Sequence, residues 1–110
     1  MTKVNVYKNK QNQYVGFQVV GHAGYAEAGE DIVCAAISIL TINTINAIET
    51  FTNDKFSLKT DEKKGSIDFK LKDAPSKEAT LLLDTMVLGI QAVESNELYE
   101  DYIDFIFEEV

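Results

Sequence analysis

The hydrophobic pattern of this chain changes period abruptly at one place, and that change constrains its fold more than any other feature. Val15, Phe17 and Val19 occupy alternate positions, as on one face of a strand, and the alternation stops at Gly21. From residue 31 to about residue 51 the pattern becomes helical, built on Ile32, Val33, Ile37, Ile39, Leu40, Ile42, Ile45, Ile48 and Phe51. Residues 22–30 lie between the two, hold Gly24 and Gly29 among mostly small side chains, and read as a loop with freedom to move. Asp31 is the expected N-cap, its carboxylate accepting from the free amides of the first helical turn. A strand end and a helix start must therefore be held side by side across a glycine-bearing loop.

The remaining segments supply what holds them. Val4 and Val6 form a short strand, and the polar run from Lys8 to Gln13 turns it into the strand that ends at Gly21. Phe56 and Leu58 open a third strand, Asp61-Glu62-Lys63-Lys64-Gly65 turns it, and Ile67, Phe69 and Leu71 alternate on the way back. Pro75 stands where a second helix should start, carrying Ala79, Leu82, Leu83, Met86, Ile90 and Val93 toward a core, with Asn96 as its end. Ile103, Phe105 and Phe107 alternate in a last strand. The order is strand, strand, helix, strand, strand, helix, strand. It predicts a two-layer α+β fold, a mostly antiparallel sheet with two helices on one face, as one domain over residues 1–110. The isoleucines of the first helix are poor helix formers, so burial must hold it. Its apolar residues cover more than one face, which implies a second packing surface such as another subunit.

At 110 residues the chain can bury a core without disulfides or metals. Its 18 acidic and 10 basic residues leave a net charge of −8, the wrong sign for a nucleic-acid or anionic-lipid surface. The first residues lack the apolar core of a signal peptide, and no apolar run is expected to reach membrane-spanning length. A single cysteine allows no internal disulfide and points to the cytoplasm.

That cysteine, Cys34, and the single histidine, His22, flank the loop twelve positions apart. If Asp31 caps the helix, Cys34 is its third residue, where unpaired amides and the helix dipole favour a thiolate and could hold an oxyanion. His22, arriving from the strand end, could take the thiol proton and return it to a leaving amine. Asp31, Cys34, Ser38 and Thr41 recur at spacings of three and four, one polar line on an otherwise apolar helix. Asp31 could instead orient the imidazole, and Ser38 could bond the thiol or the histidine. The residues alone leave plainer readings open. A cysteine in an apolar helix is usually a small buried hydrophobe, which would leave a non-catalytic interaction module, and a lone exposed thiol also suits a redox sensor. Other thiol chemistries are excluded: Leu40 stands where a phosphatase loop needs arginine, Ile37 where a dithiol motif needs cysteine, and one Cys plus one His is too few for zinc. No metal or cofactor is expected.

Gly21-His22-Ala23-Gly24 followed by Asp31-Ile32-Val33-Cys34-Ala35-Ala36-Ile37-Ser38 resembles the active-site runs of the ribosomal-processing cysteine protease family (Prp). The resemblance implies that Cys34 is the nucleophile and His22 its base, with Asp31 and Ser38 in support and Gly24, Tyr25 and Gly29 in a loop that closes over substrate. It implies a cytoplasmic homodimer that removes a short N-terminal extension from ribosomal large-subunit protein twenty-seven, cutting after a segment with paired phenylalanines. An acidic enzyme would be consistent with a basic ribosomal substrate.

Overall fold

The structure, a computed structural model, describes residues 1–21 and 28–110. Five strands, β1 (Thr2–Lys8), β2 (Tyr14–Val20), β3 (Phe56–Asp61), β4 (Ser66–Leu71) and β5 (Ile103–Glu109), form one sheet in the order β3-β4-β2-β1-β5. Two helices, α1 (Ala28–Phe51) and α2 (Lys77–Glu94), join them, and a 3₁₀ turn over Glu100–Tyr102 leads into β5. The α+β class and the element order agree with expectation. Every neighbouring pair is antiparallel except β1 and β5.

Period-two alternation puts one face of the three central strands, β1, β2 and β4, into the core under the helices. Val4 and Val6 of β1 lie opposite Val19 and Phe17 of β2, and Phe17 lies opposite Phe69 of β4, so these apolar side chains form continuous rows across the sheet. Phe17 and Phe69 stack with ring centroids 5.1 Å apart. From the helices Val33, Ile37 and Ile48 of α1 and Leu83, Met86 and Ile90 of α2 close this core, each essentially fully buried. Each such side chain contributes about 1.5–3 kcal/mol relative to exposure. The two helices approach closely where Gly89 meets Leu40: a Cβ on Gly89 would stand 3.0 Å from the leucine Cδ2.

The opposite face of the sheet is polar. Tyr7 lies over Gly16, its partner across β1 and β2, and donates to Asp68 at 3.2 Å. A side chain on Gly16 would overlap the carbonyl of Phe69, so the ring fills the space that glycine leaves. Burial, then the Asp68 carboxylate and the bond to it, push the Tyr7 phenol up to about 12.

Two boundaries and one expectation about length differ from the sequence reading. α1 begins at Ala28, three residues before Asp31, so residues 28–30 are helical and not loop. Pro75 precedes the helix by two positions, and Ser76 is the cap of α2, its hydroxyl accepting from the Ala79 amide. The expectation that no segment reaches membrane-spanning length is not met by α1, which by length and composition alone could cross a bilayer. Its stripe of Val33, Ile37, Thr41, Thr44, Ile45 and Ile48 is nevertheless buried within the fold, as in a core helix.

Candidate active site

β2 and α1 meet where the hydrophobic period changes. Gly21 continues β2 by one residue and donates its amide to the carbonyl of Gly65, in the turn between β3 and β4, at 2.9 Å. A Cβ built on Gly21 would lie 3.2 Å from the sulfur of Cys34 and 3.5 Å from the Gly65 oxygen. The strand end thus runs against the thiol with only a hydrogen between them, and any side chain at position 21 would press on the sulfur. Cys34 itself is half-buried, neither sealed in the core nor standing free on the surface. His22, Gly24 and Tyr25 lie outside the described residues.

The helix start is built differently from expectation. With Ala28 first, Asp31 is the fourth helical residue, exposed, and cannot be the N-cap. Cys34 is the seventh residue, not the third. At 1.5 Å of rise per residue the Glu30 amide lies about 6 Å back along the axis, and the Cys34 amide is directed into the helix ladder. A seat for the sulfur among free first-turn amides is therefore not what the structure provides. Gly29, expected in a mobile loop, sits in the first turn against Tyr102: a Cβ there would fall 2.5 Å from ring atom Cε2 and 2.8 Å from Cζ. On another side, the Met1 ammonium pairs with Glu30 at 2.9 Å. Both ends of the chain thus hold the first turn of α1.

Down the helix the polar line divides. Ser38, one turn beyond Cys34, is half-buried and borders a shallow groove of about 290 Å³ lined also by Ile39, Ile42, Asn43 and Asn46. Thr41 is fully buried and spends its hydroxyl on the Ile37 carbonyl at 2.8 Å, a structural role. On the other side of Gly21 the β3–β4 turn borders a second groove, about 350 Å³, lined by Thr60, Asp61, Glu62, Gly65, Ser66 and Ile67. Gly65 escaped the reading of the sequence because a hairpin glycine signals only a turn; its bond to β2 is a tertiary fact. Among the described residues no three His, Cys, Asp or Glu side chains come together as a metal site.

Comparisons with known proteins show the family. The family model described as cysteine protease Prp matches residues 1–104. The ribosomal processing cysteine protease Prp of Staphylococcus aureus is 31% identical over 94 residues, covering 86% of this chain and 89% of the relative. The crystal structure of S. aureus Prp in complex with a substrate peptide superposes with a TM-score of 0.89 at 28% identity, covering 98% of this chain and 100% of the other. That of the same enzyme with a covalently linked product peptide gives 0.84 at 30% identity, with the same coverage. A match through nearly the whole chain, together with a half-buried thiol placed at a strand end, leads to one conclusion: this chain belongs to the Prp family of cysteine proteases.

Proposed function

We propose that this protease removes a short N-terminal extension from ribosomal large-subunit protein twenty-seven, with Cys34 as nucleophile and His22 as base. The observation that carries the reading is the contact of Gly21 with the Cys34 sulfur. One peptide bond separates His22 from Gly21, so the sequence carries its single imidazole on the residue next to the one that lies beside the thiol.

Each step follows from that pairing. The thiol proton passes to the His22 imidazole as the sulfur attacks the scissile carbonyl carbon. The tetrahedral species collapses, the C–N bond breaks, and the imidazolium gives its proton to the departing amine. Water, deprotonated by His22, attacks the thioester; the excised extension leaves with a new C-terminal carboxylate, and the imidazolium returns its proton to the sulfur. Asp31, one turn ahead of Cys34 and relieved of the capping role, is proposed to orient the imidazole, and Ser38 to support the thiol side. Gly24 and Tyr25 are proposed to contact the substrate.

Charge and surface support the partners. A chain at −8 attracts a basic ribosomal protein by long-range steering. Ile32, Ile39, Ile42 and Phe51 of α1, with Leu81 and Leu88 of α2, leave apolar area exposed on the helical layer, which supports a homodimer formed through that layer. The cytoplasm, where ribosomal proteins are made, is the proposed compartment. The test is incubation with the extended ribosomal protein, read by mass spectrometry. Cleavage after the paired phenylalanines that is lost in Cys34→Ser and in His22→Ala supports the proposal. No cleavage by the wild-type protein, or turnover retained by Cys34→Ser, overturns it.

A further inference from the structure

We infer that Gly65, far from the nucleophile in sequence, is a positioning residue for it: its left-handed backbone aims a carbonyl that fixes the end of β2 against Cys34. The inference rests on Cys34 being the reacting group.

The β3–β4 connection is a four-residue turn over residues 62–65, between Asp61 and Ser66 at the last pair of the ladder. The Asp61 carboxylate accepts from the amides of Lys63 and Lys64 at 3.0 and 3.2 Å, and the Gly65 amide donates to the Glu62 carbonyl at 3.2 Å. These bonds stiffen the turn locally. Gly65 closes it at φ 60°, in the region that costs an L side chain strain. That conformation directs its carbonyl across the sheet to the Gly21 amide, one bond beyond the regular β2–β4 ladder, which ends at Val20 and Ser66. Gly21 is the residue in contact with the sulfur, and the chain from it leads directly into His22. Without the Gly65 bond, the strand end has no described backbone partner beyond Val20. The first hairpin supplies a contrast: Asn12 also has φ near 64°, but its turn lies at the opposite end of β2 and touches nothing near Cys34. The left-handed residue at the β3–β4 turn therefore reaches the site, and the one at the β1–β2 turn does not.

Substitution by a β-branched residue would force position 65 out of the left-handed region and turn the carbonyl away, whereas asparagine tolerates that region. The experiment compares Gly65→Val, Gly65→Asn and, as a stability control remote from the site, Leu71→Ala in β4. Each is followed by kcat and KM on an extension peptide, by the rate of Cys34 alkylation with iodoacetamide, and by thermal midpoint. Gly65→Val should lower kcat and the alkylation rate together by about tenfold or more, with KM little changed. Gly65→Asn should restore both, and Leu71→Ala should lower the midpoint while keeping both rates. Unchanged rates in Gly65→Val, or rates in all three variants that simply follow the midpoint, overturn the inference. If Gly65→Val does not fold, Gly65→Ala carries the same comparison. Alkylation needs no substrate, so a wild-type protein that fails to cleave the peptide removes the proposed substrate and leaves this test standing.

Discussion

The two helices lie side by side on one sheet, and different parts of the chain hold their described first turns. α2 is capped by Ser76, and the Asp54 carboxylate, 22 residues earlier in the chain, accepts from both the amide and the hydroxyl of Ser76. α1 is held from outside, by the Tyr102 ring over Gly29 and by the Met1 ammonium on Glu30. α2 also has the more segregated apolar stripe, while α1 exposes Ile32, Ile39, Ile42 and Phe51. The difference teaches that one first turn is held through a hydrogen-bonded polar cap and the other through ring packing and an ion pair. The helix that carries Cys34 beside the end of β2 is contacted in its first turn by parts of the chain remote in sequence.

Substitutions can break this contrast in order of expected effect. Cys34→Ser on α1 should cut kcat by at least about a thousandfold while leaving thermal unfolding near that of the wild type; a comparable loss from a change in the α2 cap would abolish the distinction. Gly29→Ala drives a methyl into the Tyr102 ring and should cost about 1–3 kcal/mol by chemical denaturation. Pairing it with Tyr102→Ala should return part of that loss, and strict additivity of the two would show that the ring does not set the helix start. Ser76→Ala should cost about 1 kcal/mol of stability and leave kcat alone, since it lies at the α2 end.

Acid should find α2 as well. Burial raises the Asp54 carboxyl, but the bonds from the Ser76 hydroxyl and amide and from Thr52 outweigh it and leave the group below its ordinary 3.8. Because the folded value is the lower, its contribution to stability is complete above 3.8 and disappears as pH falls through the depressed folded value. Asp54→Asn should therefore flatten the acid limb of a stability–pH curve, and an unaltered limb would assign the acid sensitivity elsewhere. The smallest effect on the fold is expected from Ile39→Lys on the exposed side of α1, within about 0.5 kcal/mol of the wild type for the protomer. On the proposed homodimer it should nonetheless shift sedimentation from dimer toward monomer; sedimentation unchanged from the wild type would remove this face as the proposed subunit contact.

Much of this was legible before any coordinates. The order of elements followed from alternation in Val4, Val6, Phe17, Val19, Ile67 and Phe69, because each burial pattern is local and repeats over several residues. The parallel pairing of β1 with β5 was not legible, since no residue in either strand encodes which edge its neighbour will occupy. Asp31 reads as a cap because a carboxylate ahead of an apolar run is the usual signal, whereas Ala28 is already helical and Gly29 of that first turn packs against Tyr102.

The sequence by itself determined that one thiol and one imidazole flank a glycine-bearing connection between a strand and an apolar helix. Residue type, spacing and hydrophobic period are properties of a short stretch and can be read along it. Only the tertiary structure decided that the thiol is half-buried one turn further into its helix, that Gly21 lies against the sulfur, and that Gly65 holds Gly21 there. Those are distances between residues remote in the chain, set by how the sheet and helices pack. No local propensity carries that information.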